Sequence, residues 1–158
     1  EVGREAFARA MDISVYSFTA LAGAFADILN PWASLMTMTY YASQKAVPNY
    51  NVMGVAKAAL EASVRYLARD LGPRKVRVNA ISAGPIRTLS AAGVSGFRGM
   101  YNEFASVAPL RENVTSEDVG DAALFLASNL SSRITGEVLY VDSGFNIIGI
   151  ADKSEEEK

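Results

Sequence analysis

At 158 residues, half of them hydrophobic, the chain is long enough to bury one domain-sized core. Its net charge of −2 gives no basic surface for nucleic acid, and no apolar run reaches the roughly eighteen residues of a membrane-spanning helix. Cysteine and histidine are both absent, which removes disulfides, thiol nucleophiles, imidazole bases and Ser-His-Asp triads and fits a cytoplasmic setting. Any acid–base chemistry in this chain therefore falls to Tyr, Lys, Asp or Glu.

The first predicted element is a helix over 4–29, where Ala6, Phe7, Ala10, Met11, Val15 and Phe18 recur near a 3.6-residue period. Asn30-Pro31 ends it. A short strand over 34–39, SLMTMT, follows and delivers Tyr40 at its C-terminal end. Pro48 lacks an N–H and clashes with a preceding helical turn, so the next helix is predicted to start just after it and to stop at Gly72-Pro73. Ala58, Ala59, Ala62 and Ser63 give that helix a smooth face, suited to close packing on a sheet or on another subunit. A second strand over 76–81 is closed by Gly84-Pro85, and a helical stretch over 89–104 is interrupted by Gly93, Gly96 and Gly99. Thr115-Ser-Glu-Asp118 is a capping signature opening a helix to about Asn129. A last strand over 137–141 precedes the charged tail 151–158, expected to be disordered.

This order of helices and strands is that of a parallel sheet with helical crossovers, an α/β fold in which ligands lie beyond the carboxyl ends of strands. Tyr40 and the stretches 82–88 and 142–145 all fall at or just past such ends. The chemistry is concentrated between Tyr40 and Lys57, where three phenols (Tyr40, Tyr41, Tyr50) accompany two amines (Lys45, Lys57). Tyr50 and Lys57 are separated by about two helical turns and leave one face of the predicted helix near its start. An ammonium beside a phenol favours the phenolate and strengthens the O–H as a donor, which suits stabilising charge on a substrate oxygen. Spacing equally allows Tyr50 to pack at a helix start while Lys57 pairs on the surface with Glu61. A second pair, Tyr41 and Lys45, would share a face only if a helix ran through it, which Pro48 opposes. The glycines after Leu89 match no dinucleotide fingerprint; with Phe97, Met100 and Tyr101 they suit either a flap over an apolar ligand or a weak surface helix.

Three stretches, PNYNVMGVAKAALEASVRYLA with Tyr40 ahead of it, RVNAISAGPIRTL and ITGEVLYVDSGFNI, closely resemble the bacterial enoyl-acyl-carrier-protein reductases. These form a divergent branch of the short-chain dehydrogenase/reductases that carries Tyr-x6-Lys in place of Tyr-x3-Lys. The resemblance extends to about Ile150. It implies a Rossmann-like, doubly wound parallel sheet, of which residues 1–150 are the C-terminal part. The glycine-rich turn that holds a pyrophosphate has no counterpart here and is expected upstream.

The resemblance further implies hydride transfer from NADH, with NADPH left open, to the 2,3-double bond of an enoyl thioester on acyl carrier protein in fatty acid biosynthesis. The enzyme would be a cytoplasmic homotetramer with no nucleic-acid, membrane or metal partner. Tyr50 would hydrogen-bond the thioester oxygen, Lys57 would hold the nicotinamide ribose, and Tyr40 would have an accessory place in the site. Ile86, Arg87, Thr88, Leu89 and Ser90 would lie against the cofactor, with the Ile86 backbone at the carboxamide and Thr88 near the pyrophosphate. Thr88 also reads as a helix N-cap and Arg87 as surface charge. Phe97 and Met100 are expected as walls of the acyl pocket. The strand ends at Thr39-Tyr40 where ordinary reductases place a serine, which favours enoyl over ketone reduction. Two competing readings remain open: a 3-oxoacyl or other alcohol-forming reductase using Tyr41 and Lys45, and a non-catalytic fragment.

Overall fold

The computed structural model describes residues 2–88 and 96–150. Helix α1 (Arg4–Met11), a π-helical turn (Asp12–Tyr16) and α2 (Ser17–Phe25) form one rod that ends in a 3-10 turn at Ala26–Ile28. Strand β1 (Ser34–Thr39) leads to α3 (Asn51–Leu71), and β2 (Arg77–Ala83) leads to α4 (Phe97–Val107) and α5 (Ser116–Ala127). β3 (Val138–Val141) completes a three-stranded sheet, ordered β1-β2-β3 and parallel throughout. Parallel neighbours cannot be joined by a tight turn, which is why a helix intervenes each time.

Side chains alternate across the sheet. On one face Val78 and Ala80 pack with Val64, Ala68 and Leu71 of α3, and Leu35 and Val138 complete the cluster. Burying each of its valines and leucines stabilises by roughly 1.5–3 kcal/mol, so this contact rather than helix propensity holds α3 to the sheet. The other face carries Ser34 and Arg77, whose side chains both donate to the Leu126 carbonyl of α5, at 2.8 and 2.7 Å. Helices thus cover both faces, and β2 is buried at every residue. Two of its polar members are matched: Arg77 also donates to Ser131 Oγ at 2.8 Å, and Asn79 bonds the Ile134 carbonyl and the Glu137 N–H.

Most predicted elements appear near their predicted bounds, with three differences. The rod over 4–29 is not a regular helix, because the π turn inserts extra backbone that a 3.6-residue pattern does not register. The Ser17 hydroxyl donates to the Ile13 carbonyl at 2.6 Å inside that turn. The stretch predicted as helical over 89–104 is helical only from Phe97, after Gly96 at φ +78°, and continues to Val107; residues 89–95 lie outside the described residues. Helix α5 ends at Ala127, two residues early, where the Ser128 backbone turns extended. Its predicted start is as expected, a reciprocal capping box in which Asp118 N–H donates to Thr115 Oγ1 and Thr115 N–H to the Asp118 carboxylate. Those bonds hold the Asp118 carboxyl below its ordinary range. The tail 151–158 lies outside the described residues.

Candidate active site

The C-terminal ends of the strands converge on one edge. Tyr40 leaves β1 in extended conformation and enters a 3-10 turn at Tyr41–Ser43. The chain returns through Pro48 to Tyr50, the residue just outside α3: its N–H reaches the Val47 carbonyl at 3.2 Å and its carbonyl accepts the Gly54 N–H at 2.7 Å. The helix therefore starts at Asn51, two residues after the position predicted from Pro48. Gly54 lets it start there. A Cβ at that position would lie 2.9 Å from the Ala42 carbonyl oxygen, so only glycine allows α3 this close to the turn.

That approach brings Tyr50 against Tyr40, their ring centroids 5.2 Å apart and nearly perpendicular. The ring contacts continue through Tyr41 (4.9 Å) to Phe145 (5.2 Å), which stacks on Phe104 at 4.2 Å. Asp142, buried past β3, fixes Phe145 by accepting the backbone N–H groups of Gly144 and Asn146.

Lys57 reaches the same place from α3, its ammonium donating to the Met38 carbonyl at 2.8 Å. One turn further on, Glu61 accepts the Thr39 hydroxyl at 2.7 Å. Glu61 is only 4% exposed, so the reading that sets it on the surface as a partner for Lys57 is corrected. The carboxylate turns inward to the strand end, although its charge still acts on Lys57.

Burial dominates the electrostatics. It pushes the Lys57 ammonium below the ordinary lysine range, with Glu61 opposing the shift. It raises Tyr50, and raises Tyr40 further with help from Tyr41 and Tyr50. The expectation that an ammonium favours the Tyr50 phenolate is therefore not met: burial moves the phenol the other way. Both phenols keep their protons and act as donors.

A cleft of about 390 Å³ opens beside Tyr40, walled by Tyr41, Met100, Phe104, Val107 and Phe145, with Lys45 and Glu103 as its charges. Met100 is where the sequence places it. Phe97 instead packs on Tyr101 in a neighbouring cleft of about 380 Å³, shared with Arg87, Thr88 and Arg98. Arg87 is more than surface charge there, since its guanidinium lies 4.5 Å over the Tyr101 ring. Ile86 is half-buried just past the exit of β2, and Leu89 and Ser90 lie outside the described residues. Tyr41 and Lys45 share a single backbone turn rather than a helix face, the Lys45 N–H on the Tyr41 carbonyl, yet both line the Tyr40 cleft. The sequence reading missed Phe104, Val107 and Ile148 of the wall; Phe145 fell in a strand-end stretch it had marked. Among the described residues no cluster of acidic side chains forms a metal site, and no helix is long and apolar enough to cross a membrane.

A family model described as enoyl-(acyl carrier protein) reductase matches residues 1–146. The chain belongs to that family. It is 57% identical over 152 residues to the NADH enoyl-acyl-carrier-protein reductase 1 of Rhizobium meliloti (strain 1021), covering 95% of this chain and 55% of that protein. It is also 57% identical over 146 residues to the NADH enoyl-acyl-carrier-protein reductase of Escherichia coli (strain K12), covering 92% and 56%. The Bacillus cereus enoyl-acyl carrier protein reductase, solved with NADP+ and indole naphthyridinone, superposes with a TM-score of 0.92 at 51% identity, over 95% of this chain and 58% of that one. The chain thus spans a little over half the length of these relatives, and its three strands are part of a Rossmann-fold reductase sheet. The donor set at the end of β1 fits a nicotinamide nucleotide. The Lys57 ammonium commits one of its three donors to the Met38 carbonyl near the end of β1, and the protonated phenols of Tyr40 and Tyr50 meet just past that end.

Proposed function

We propose that the protein carrying this chain reduces the 2,3-double bond of an enoyl thioester on acyl carrier protein, with NADH as reductant. The observation that carries this reading is the convergence of Tyr40, Tyr50 and Lys57 on the C-terminal end of β1, next to an aromatic-walled cleft. The relatives' names, which specify NADH and acyl carrier protein, support it. NADPH is a second candidate, since one related structure carries NADP+.

When bound, the nicotinamide supplies a hydride to the substrate's β-carbon. Negative charge then builds on the thioester oxygen, and the Tyr50 O–H donates to it while remaining protonated itself. A proton taken from solvent water then adds at the α-carbon, discharges the enolate and completes the saturated thioester, leaving hydroxide to the buffer. Lys57 directs its remaining N–H donors to the ribose hydroxyls and places a positive charge beside the developing enolate. Tyr40 braces Tyr50 edge-on and lines the cleft. Met100, Phe104 and Phe145 wall an acyl chain away from water. Ile86, Arg87 and Thr88 border the cofactor, and Phe97 contributes to substrate binding through the neighbouring cleft. Residues 1–150 serve as one part of a single NAD(P)-binding domain in a cytoplasmic homotetramer.

A second reading, reduction of a 3-oxoacyl thioester through Tyr41 and Lys45, is favoured by one observation: both residues line the Tyr40 cleft. The test uses the full-length protein with NADH and either crotonyl or acetoacetyl thioester. Consumption of crotonyl thioester, lost in Tyr50→Phe and kept in Tyr41→Phe, is the expected result. The reverse pattern with acetoacetyl thioester would establish the second reading.

A further inference from the structure

Lys57 and Glu61, one turn apart on α3, grip consecutive residues of β1: the ammonium holds the Met38 carbonyl and the carboxylate holds the Thr39 hydroxyl. Tyr40 is the next residue. Glu61 is nearly inaccessible, and a carboxylate buried to that degree is rare without a paired or hydrogen-bonded partner. The sheet register explains what it faces. Thr39 pairs with Ser82 and Ser82 with Tyr140, so three hydroxyl side chains stand in a row on the face that α3 covers. Ser82 Oγ, 1% exposed, has no hydrogen-bond partner among the described residues. Tyr140 feels the Glu61 charge, and that of Asp142 beyond it.

We propose that Glu61 is a positioning residue: its carboxylate, seated over the Thr39–Ser82–Tyr140 hydroxyl row, keeps Lys57 charged at a half-buried site and locks the end of β1 that presents Tyr40. It touches neither substrate nor cofactor and acts through its neighbours. Burial alone would discharge Lys57 more readily, and Glu61 is the charge on its own helix that opposes this. The other titratable groups around the pair are phenols that stay neutral, namely Tyr40 and Tyr50 before α3 and Tyr140 on β3, together with Asp142, which is engaged by the 144–146 backbone. The carboxylate therefore sets the upper pH at which Lys57 still carries its charge. This inference rests on the proposed role of Lys57, but its test does not need catalysis.

The experiment follows the Lys57 resonance by NMR through a pH titration of the full-length protein with labelled lysine, assigned by its loss in Lys57→Arg. Glu61→Gln keeps the shape and the acceptor for Thr39 while removing the charge. It is expected to lower the Lys57 midpoint by about one pH unit, and Glu61→Asp to restore most of it. An unchanged midpoint in Glu61→Gln overturns the proposal. Should that variant fail to fold, Thr39→Val decides in its place: it removes the hydroxyl that seats the carboxylate, and a Lys57 midpoint left unchanged counts against the proposal. The titration is read without substrate or cofactor. A protein that leaves crotonyl thioester unreduced therefore sinks the reductase reading and leaves this result standing.

Discussion

Tyr50 and Lys57 divide the chemistry according to what burial does to each. Burial holds Tyr50 protonated above its ordinary range, so the phenol enters the reaction as a neutral donor. Its removal in Tyr50→Phe deletes one donor to the developing oxyanion and should lower kcat about 10²-fold, with KM changed little, in steady-state assays on the full-length protein. Lys57 moves the other way, because its charged form is the one burial opposes. The charged ammonium is present below its pKa, and that pKa lies under the ordinary lysine value. Activity should therefore fall on the alkaline side as pH rises through the depressed Lys57 pKa. Since burial moves Tyr50 up and Lys57 down, the same alkaline limb should survive in the residual activity of Tyr50→Phe. A limb that disappears with Tyr50 would assign the titration to the phenol instead.

Among the elements, the entrance to α3 decides whether these side chains meet. Gly54 lies against the Ala42 carbonyl with no room for a Cβ, and the obstructing atom is backbone. Gly54→Ala should push the Tyr41–Ser43 turn away from α3 and part the Tyr40 and Tyr50 rings. The expected outcome is a loss of activity out of proportion to the fall in thermal midpoint, measured side by side. Pro48 made the start of this helix legible in the sequence to within two residues, and Thr115-x-x-Asp118 did the same for α5. The three strands were legible from short apolar runs bounded by Gly, Pro and Asn. Glu61 was not legible. A glutamate four residues after a lysine on a helix reads as a surface pair, and only the position of α3 over the Thr39 end of β1 shows that this turn faces inward. The pairing of Phe104 with Phe145 in the cleft wall was equally hidden, because the two are distant in sequence and meet only when α4 folds back over the exit of β3. The π turn after Met11 is likewise a property of backbone packing that side-chain periodicity does not encode.

At the scale of the whole molecule, Phe104 ties the cleft to the core. It is 3% exposed, stacks on Phe145 and fills the space above Gly84, where a Cβ would meet its ring at 2.8 Å. Phe104→Ala should destabilise the fold by about 3 kcal/mol, read as a lower denaturant midpoint, and should also widen the acyl cleft. A variant that kept the midpoint while altering chain-length preference would separate the two roles. The buried polar row along β2 shows the same economy of position, with Arg77 and Asn79 binding backbone carbonyls of the segment before β3 while Val78 and Ala80 face α3.

The bond from Lys57 to the Met38 carbonyl has an evolutionary consequence. The acceptor belongs to the main chain, so the grip is indifferent to which side chain occupies position 38, and that side chain is itself 43% exposed. Residues at that position are free to drift without loosening the ammonium. Inserting or deleting a single residue in β1, by contrast, would present a displaced carbonyl and turn Thr39 away from Glu61, so this corner of the protein is guarded against frameshifts in the strand rather than against substitutions.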